Sequence, residues 1–442
     1  MKVSTPAYSL YVLAVLGGIS LFNALDQTLL PAVVASIQAD MRLSDSQVGL
    51  LLGVGPAAIA VAALPFGYWT DRGSRRFIIG LGTAVWSVAT LLTGMTVAFA
   101  QVLAARTVLG VGEASTFPAG TSLIGDYFSK RARGRAMAAV IGAGGLGIGG
   151  GLVLGGVVGL HFGWRAAFYF AAVPGLLLAL AAFTIREPLR GSAESVGPRL
   201  ATVRDAGLMA FGRLLRVRTY AAMLVAGAFG NFGYAVLSLA PLYLHRRFGL
   251  DIAHAGAMVG GAMLLGVVVA VPAIGWILDR RSRRSPRAAA EVGLIGLVLS
   301  AAAAAVMFSA QSLVFFEVAM VISAVVGGAG ILAANVILQN VIVPSLRGSA
   351  ASVSVTCGRL CGALGPIAVG LVSDSFHQNL GLSLLLLAPT ATIAAAVFFG
   401  LAMSSMKRDV EAMEMAWAER VPVVPVPVVR EIEYAAEYPG GC

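Results

Sequence analysis

The feature that most constrains this chain is a series of long apolar runs. Crossing a hydrocarbon core of roughly 30 Å takes about 20 apolar residues in a helix, and runs of that length occur twelve times. We number them spans 1 to 12, and they fall at residues 8–30, 46–67, 77–95, 98–128, 136–160, 166–184, 220–243, 254–278, 289–308, 312–343, 349–375 and 380–405. Of the 442 residues, 58% are hydrophobic and only 12% are charged, which excludes a soluble fold. The sequence predicts an all-α polytopic membrane protein with twelve transmembrane helices.

The basic residues follow the predicted topology. If both termini lie on one side, the tails and the loops after spans 2, 4, 6, 8 and 10 hold 25 of the 31 Lys and Arg residues. We call this the basic side. The opposite side holds Arg42, Arg165, Arg246 and Arg247. Because positive loops stay in the cytoplasm, we expect a multi-pass protein of the bacterial inner membrane with both termini cytoplasmic. The net charge of +10 then faces lipid headgroups, and no nucleic-acid partner is expected.

Motifs for metal, nucleotide or enzyme chemistry are not evident. The three cysteines and four histidines show neither a disulfide framework nor metal-ligand spacing. The glycines of residues 142–147 match a dinucleotide-binding pattern, but they lie inside an apolar run with no strand before it. Glycines in spans 5 and 11 instead indicate close helix packing. We therefore expect a protein that is not an enzyme, with no cofactor and no metal.

An internal repeat divides the chain. After a shift of 208 residues, the loop after span 2 matches the loop after span 8 at six of ten positions. The matching residues are Gly67, Asp71, Arg72, Ser74, Arg75 and Arg76, which align with Gly275, Asp279, Arg280, Ser282, Arg283 and Arg284. The repeat predicts two pseudo-symmetric six-helix bundles at residues 1–185 and 220–405. A cytoplasmic linker at 186–219 and an extended or disordered cytoplasmic tail at 406–442 complete the predicted organisation.

The repeated loop resembles the signature of the major facilitator superfamily. The resemblance covers nearly the whole chain, and it implies a central binding site between two halves that rock in alternating access. It also implies that spans 1, 4, 7 and 10 line the central cavity. The loops would form a cytoplasmic gate, in which Asp71 faces a helix N-terminus of the other half and the arginines pair with acids such as Asp126. The expected gate residues are Gly67, Asp71, Arg72, Arg75, Arg76, Asp126, Asp279 and Arg280.

Charged residues inside the spans are the next signal. A charge at a helix centre costs about 2.5–3.5 kcal/mol on insertion scales, so Asp26, Arg106 and Glu113 need a reason to be there. Arg106 and Glu113 are seven residues apart and lie on nearly one helix face. A structural ion pair is one interpretation, but two carboxylates surround one guanidinium. We favour a coupling site, in which an anionic substrate takes Arg106 and a proton binds Asp26 or Glu113.

Spans 1 and 4 also resemble those of Spinster-like lipid transporters. The similar segments are Phe22-Asn23-Ala24-Leu25-Asp26, Arg106 to Ser115 with Pro118, and Asp126-Tyr127-Phe128. One position departs, because Gln27 stands where that family usually has Arg. Proton-coupled organic anion symporters are an alternative, since Phe117-Pro118-Ala119 fits them too. A membrane receptor that binds a ligand without moving it is the alternative from another class.

The C-terminal half offers few polar groups to a cavity. The expected substrate-binding residues are Arg106, Asn23, Tyr234, Asn231 and Asn335. A small anion would need donors from both halves, whereas an amphiphile could place its headgroup by Arg106 and its acyl chain against spans 7 and 10. This favours a lysophospholipid or similar substrate, carried with protons by a monomer. Arg359 in span 11 is expected to pack or snorkel, and a second headgroup contact is the alternative.

Overall fold

A computed structural model describes residues 6–189, 212, 214–282, 285, 287–342 and 346–418, and every regular element in them is helical. The helices of the N-terminal half are Pro6–Met41, Asp45–Arg72, Arg75–Gly94, Phe99–Glu113, Thr116–Tyr127, Lys130–Phe162 and Trp164–Phe183. Those that follow are Arg218–Val236, Ala240–Phe248, Ile252–Leu265, Val271–Ser282, Ala288–Ser309, Leu313–Val341, Arg347–Ser375 and Leu380–Ala418. A 3₁₀ turn at Leu237–Leu239 joins the two helices of span 7, and a π-helical segment at Gly266–Ala270 joins those of span 8.

Eleven stretches of the described chain are helical, long and apolar enough to cross a membrane. The exception is span 4, which was expected as one helix over 98–128 and instead consists of Phe99–Glu113 and Thr116–Tyr127. Pro118 has no N–H to donate to the carbonyl of Ala114, so the helical hydrogen-bond ladder is interrupted there. Pro272 has the same effect beside the π-helical segment of span 8. The break in span 4 directly follows Glu113, and it therefore lies at one of the predicted coupling residues.

The end of span 12 also differs from expectation. The helix that begins at Leu380 continues to Ala418, through the first part of the segment expected to be an extended tail. Residues 419–442 lie outside the described part of the chain, as does most of the expected linker at 186–219. Buried Asp409 accepts a hydrogen bond of 2.8 Å from the backbone N–H of Thr219, which fixes the continued helix against the start of span 7.

The two halves meet through glycines of spans 2 and 8, in addition to the glycines whose spacing in spans 5 and 11 predicts close packing. A Cβ added at Gly49 of span 2 would collide with the carbonyl oxygen of Pro366 in span 11. A Cβ at Gly256 of span 8 would lie 2.5 Å from the carbonyl oxygen of Leu152 in span 5. Backbones this close exclude any side chain between them, so spans 2 and 5 pack directly on spans 11 and 8. These contacts hold the halves together towards the side opposite the basic loops.

Candidate functional site

A cavity of about 700 Å³ lies between the halves. Its polar and charged lining residues are Gln27, Thr28, Arg106, Glu113, Tyr220, Asn231, Tyr234, Ser238, Asn335, Ser354 and Arg359. Both halves otherwise contribute mostly apolar residues, and those of the C-terminal half include Met223, Leu297 and Phe399. The cavity thus combines three charged groups with a large apolar surface, and a bound molecule can meet both.

Arg106 and Asp26 form a buried pair in the N-terminal wall. The Nη1 of Arg106 lies 3.5 Å from Oδ2 of Asp26, and the two side chains are 3% and 0% exposed. The hydroxyl of Thr90 donates to the same carboxylate oxygen at 2.9 Å, and the guanidinium lies 4.7 Å from the ring centre of Phe168. Arg106 lines the cavity, while Asp26 lies behind it. Among the described residues, Nε and Nη2 of Arg106 and Oδ1 of Asp26 have no hydrogen-bond partner. The pair holds only part of the hydrogen bonds it can make.

Glu113 lies at the last residue of the helix Phe99–Glu113 and is 4% exposed. Its Oε2 accepts from the amide of Gln27 at 3.0 Å, and its Oε1 has no partner in the described part of the chain. A neutral amide can donate to a carboxyl group in either protonation state. Gln27, at the position where the resemblance expects Arg, therefore orients Glu113 without fixing its charge.

The predicted substrate residues separate into two groups. Tyr234, Asn231 and Asn335 line the cavity, and the two Asn amides donate to the carbonyls of Gly227 and Ile331 four residues earlier. Their side-chain oxygens stay available to accept from a ligand. Asn23 is different, because it does not line the cavity and its Oδ1 accepts from Gln27 at 3.0 Å. The structure makes Asn23 a support for Gln27 rather than a substrate contact.

Arg359 was expected to pack or snorkel, and that expectation is wrong. The side chain lines the cavity from span 11 and interacts electrostatically with Glu113 across it. Within the described chain, Arg359 makes no hydrogen bond and no ion pair within 4.0 Å. The sequence signal for this position is the depth of Arg359 in the membrane. Ten residues of span 11 precede it, and a side chain at that depth cannot readily reach the membrane–water interface. Arg359 brings a cation to the cavity from the C-terminal half.

On the basic side, Arg75 is the centre of a buried cluster. It contacts Asp126 as expected, and its Nε also donates to Glu187 at 2.7 Å. Burial by itself would raise the pKa of Glu187, but hydrogen bonds from Arg75, Ser74 and the backbone of Arg76 hold that pKa below its usual range. This cluster joins the loop after span 2 to the end of span 4 and to the start of the linker after span 6.

The other predicted gate residues do not share this cluster. Arg72 stacks at 3.7 Å on the ring centre of Tyr68 instead of pairing with an acid. Arg280 lies 5.6 Å from the ring centre of Trp276, and Asp279 is exposed. Gly67 has open space around it, and the side chain of Asp71 lies outside the described residues. In this conformation, no hydrogen bond, ion pair or cation–π contact between described residues joins the gate residues of the two halves.

The halves are instead latched on the opposite side, a contact that the sequence did not reveal. Arg246, just beyond span 7, donates to both carboxylate oxygens of Asp45 at 2.5 and 2.9 Å. Ser373 and Gln38 donate to the same carboxylate at 2.5 and 2.9 Å. Asp45 is 2% exposed and Arg246 is 30% exposed, so the carboxylate is shielded from water while the guanidinium remains partly accessible. Asp45–Arg246 is the one ion pair that joins the two halves among the described residues.

A second carboxylate strengthens this latch. Asp374, at the end of span 11, accepts from the backbone N–H groups of Asp45 and Ser46 at 3.2 and 3.0 Å. The hydroxyl of Ser46 adds a bond of 2.5 Å. The helix Asp45–Arg72 begins here, so a carboxylate of one half satisfies the free N–H groups at a helix start in the other. Opening the opposite side must break these bonds.

Arg246→Gln is therefore expected to shift the protein towards a conformation open on the opposite side. The change removes the inter-half ion pair and leaves Asp45 buried with fewer donors. A cysteine introduced at Leu52 in the cavity reports this opening when a membrane-impermeant thiol reagent is added to the opposite side. We expect its labelling rate to rise about tenfold if the conformational equilibrium shifts by roughly 1.4 kcal/mol.

Arg165→Gln is the matched control, because Arg165 pairs with Asp40 at 2.9 Å on the same side but within one half. Its labelling rate should stay at the level of the parent protein. Equal acceleration in both variants would show that general loosening, and not the inter-half latch, controls access.

Comparisons with known proteins agree with this architecture. Residues 16–366 match the family model of the Major Facilitator Superfamily. The chain is 30% identical over 260 residues to a probable L-galactonate transporter of Escherichia coli, covering 56% of each protein. It is 28% identical over 393 residues to the sphingosine-1-phosphate transporter SPNS2 of Mus musculus, covering 81% of this chain and 69% of the mouse protein.

Among solved structures, the fold is similar to a bacterial homologue of the human lysosomal transporter Spinster in an inward-facing, unoccupied conformation. The TM-score is 0.80 at 24% identity, with 93% of this chain and 99% of the other covered. The family match, which agrees with the helical fold and the central cavity, identifies the chain as a member of the Major Facilitator Superfamily, a transporter and not an enzyme.

Proposed function

We propose that this protein is a proton-coupled secondary transporter of an amphiphilic, lysophospholipid-like substrate. The observation that carries the proposal is the cavity itself, in which the charged groups of Arg106, Glu113 and Arg359 share a lining that is otherwise mostly apolar. The headgroup would bind at the arginine, and the acyl chain would lie along residues such as Met223, Leu297 and Phe399. Burying the acyl chain against these apolar residues removes apolar surface from water and leaves the charged groups to the headgroup.

Proton coupling follows from competition for Arg106. A buried carboxylate remains ionised only while a cation compensates it. When an anionic headgroup binds Arg106 in the cavity, Asp26 and Glu113 lose part of that compensation, and protonation of a carboxylate then costs less free energy than leaving it charged. When the substrate leaves, the ion pair re-forms and the proton is released. Substrate and proton therefore bind together, which allows a proton gradient to drive transport.

Alternating access would use the two sets of contacts around the cavity. We assign the basic side to the cytoplasm of a bacterial cell, with residues 1–185 and 220–405 as the rocking halves of a monomer. In the present conformation, the latch at Asp45 closes the outer side. In the outward-open conformation, the signature loops of the two halves would meet and close the cytoplasmic gate. The name of the mouse relative, a sphingosine-1-phosphate transporter, supports an amphiphilic substrate.

A small organic anion is the second candidate, and Arg359 is the observation that favours it. With Arg106 and Arg359, the cavity offers cationic donors from both halves, which a compact hydrophilic anion requires. The Escherichia coli relative, named as a probable L-galactonate transporter, points the same way. A small hydrophilic anion does not explain why the cavity lining is mostly apolar, so we place the amphiphile first.

Reconstitution into liposomes separates the candidates. With a gradient of two pH units, we expect a fluorescent lysophospholipid to move at a rate that collapses when a protonophore removes the gradient. Galactonate is measured in parallel, and liposomes without protein provide the background. Galactonate uptake without lipid movement would replace the first candidate with the second. Saturable binding of lipid with no movement of either compound would indicate a receptor and contradict transport.

A further inference from the structure

Arg359 carries a further inference, which rests on the proposed function and concerns the headgroup. Arg359 and Arg106 line one cavity from different halves, and both interact electrostatically with Glu113. Glu113 makes no ion pair within 4.0 Å with either guanidinium in the described chain, and its Oε1 is unpartnered. The single cavity-facing carboxylate is thus influenced by two cations and bound by neither.

The charges of the cavity make this arrangement specific. Asp26 and Glu113 balance Arg106 and Arg359 when both carboxylates are ionised, so the empty site is neutral overall. Each negative charge that a ligand brings can be matched by one proton taken up by a carboxylate. A ligand with one charge occupies one guanidinium and leaves the other facing Glu113. A ligand with two charges can satisfy both guanidinium groups while both carboxylates are protonated.

We propose that Arg359 is a specificity-determining residue that selects a headgroup with two negative charges, of the phosphate monoester class. Two guanidinium groups that bind one phosphate form charge-assisted hydrogen bonds to separate oxygens, and Arg106 and Arg359 line the same cavity. A phosphodiester or a carboxylate carries one charge and engages only one of them fully. The site would therefore prefer the monoester, and Arg359 would be the origin of that preference.

Two ligands that differ only in headgroup charge test the proposal. We compare lysophosphatidic acid with its phosphate methyl ester in detergent-purified protein at pH 7.5, above the second phosphate pKa of about 6. The parent protein should bind the monoester about tenfold more tightly than the methyl ester. Arg359→Gln should weaken binding of the monoester about tenfold and change binding of the methyl ester less than about threefold, so the preference is lost. The reason is that only the doubly charged monoester loses a charge-assisted contact.

Two further variants secure the result. Arg359→Lys should keep part of the preference, because an ammonium group retains the charge but lacks the planar geometry of the guanidinium. This variant replaces Arg359→Gln in the comparison if the Gln variant does not fold. Arg165→Gln, an arginine outside the cavity on the opposite side, should leave both affinities unchanged. Equal loss of affinity for both ligands in Arg359→Gln would show a packing role and overturn the proposal. A parent protein without headgroup preference would overturn it as well.

Failure of the proposed function gives a different result. If the parent protein binds neither lipid, the amphiphile is wrong, and the same comparison is made with glycerol 3-phosphate and its methyl ester. A tenfold preference for the monoester, abolished in Arg359→Gln, then supports the specificity of Arg359 with a small anionic substrate. No preference between these soluble ligands overturns it.

Discussion

Arg106→Gln should abolish substrate binding and lower the free energy of unfolding by about 3–5 kcal/mol, the cost of removing one partner from a buried ion pair. Asp26 is fully buried and is left with Thr90 as its remaining hydrogen-bond donor. Protonation of Asp26 limits the loss of stability, since burying the neutral acid costs less free energy than burying the carboxylate. Denaturant unfolding in detergent measures stability, and equilibrium binding of lysophospholipid measures the site.

A double variant distinguishes the two roles of Arg106. Asp26→Asn combined with Arg106→Gln removes both charges, so most of the lost stability should return while substrate binding stays absent. Arg165→Gln provides the control for losing an exposed arginine pair, and it should cost less than about 1 kcal/mol. Wild-type binding in the double variant would exclude Arg106 as the headgroup contact and reduce it to a structural ion pair.

The second large effect is expected for Glu113→Gln, which should uncouple transport from the proton gradient. For one proton per substrate, two pH units can sustain about a 100-fold substrate gradient, since each unit is worth one factor of ten. The Gln variant keeps the side-chain shape and an acceptor for Gln27 but cannot take up a proton. We expect its accumulation ratio to fall to about 1, while exchange of labelled for unlabelled substrate continues.

Glu317→Gln is the matched control, because Glu317 carries the same side chain but is exposed and does not line the cavity. Its accumulation ratio should equal that of the parent protein. Undiminished accumulation by Glu113→Gln would remove Glu113 from the coupling mechanism. The same assay on Asp26→Asn would then decide whether the buried partner of Arg106 carries the proton alone.

Sequence reasoning succeeded for features that depend on local physics. The apolar runs predicted the spans because backbone N–H and C=O groups in a bilayer must bond within their own helix. Glycine spacing in spans 5 and 11 predicted close packing, and a Cβ added at Gly156 or Gly370 would collide with a backbone carbonyl oxygen of the other half. The break after Glu113 was not predicted, although Pro118 was a visible signal for it. The end of span 12 was placed too early, because a charged segment can continue a helix once Asp409 has a partner in Thr219.

The sequence by itself determined that this chain is a helical membrane protein of two related halves with charges in span 1 and span 4. Hydrophobic composition identifies each helix from its own residues, and the repeat can be found by aligning the sequence with itself. Only the tertiary structure decided that Arg359 faces Glu113, that Asn23 supports Gln27, and that Asp45 latches to Arg246. Those contacts depend on how each helix is rotated about its axis and tilted against distant helices, and packing between the halves sets both.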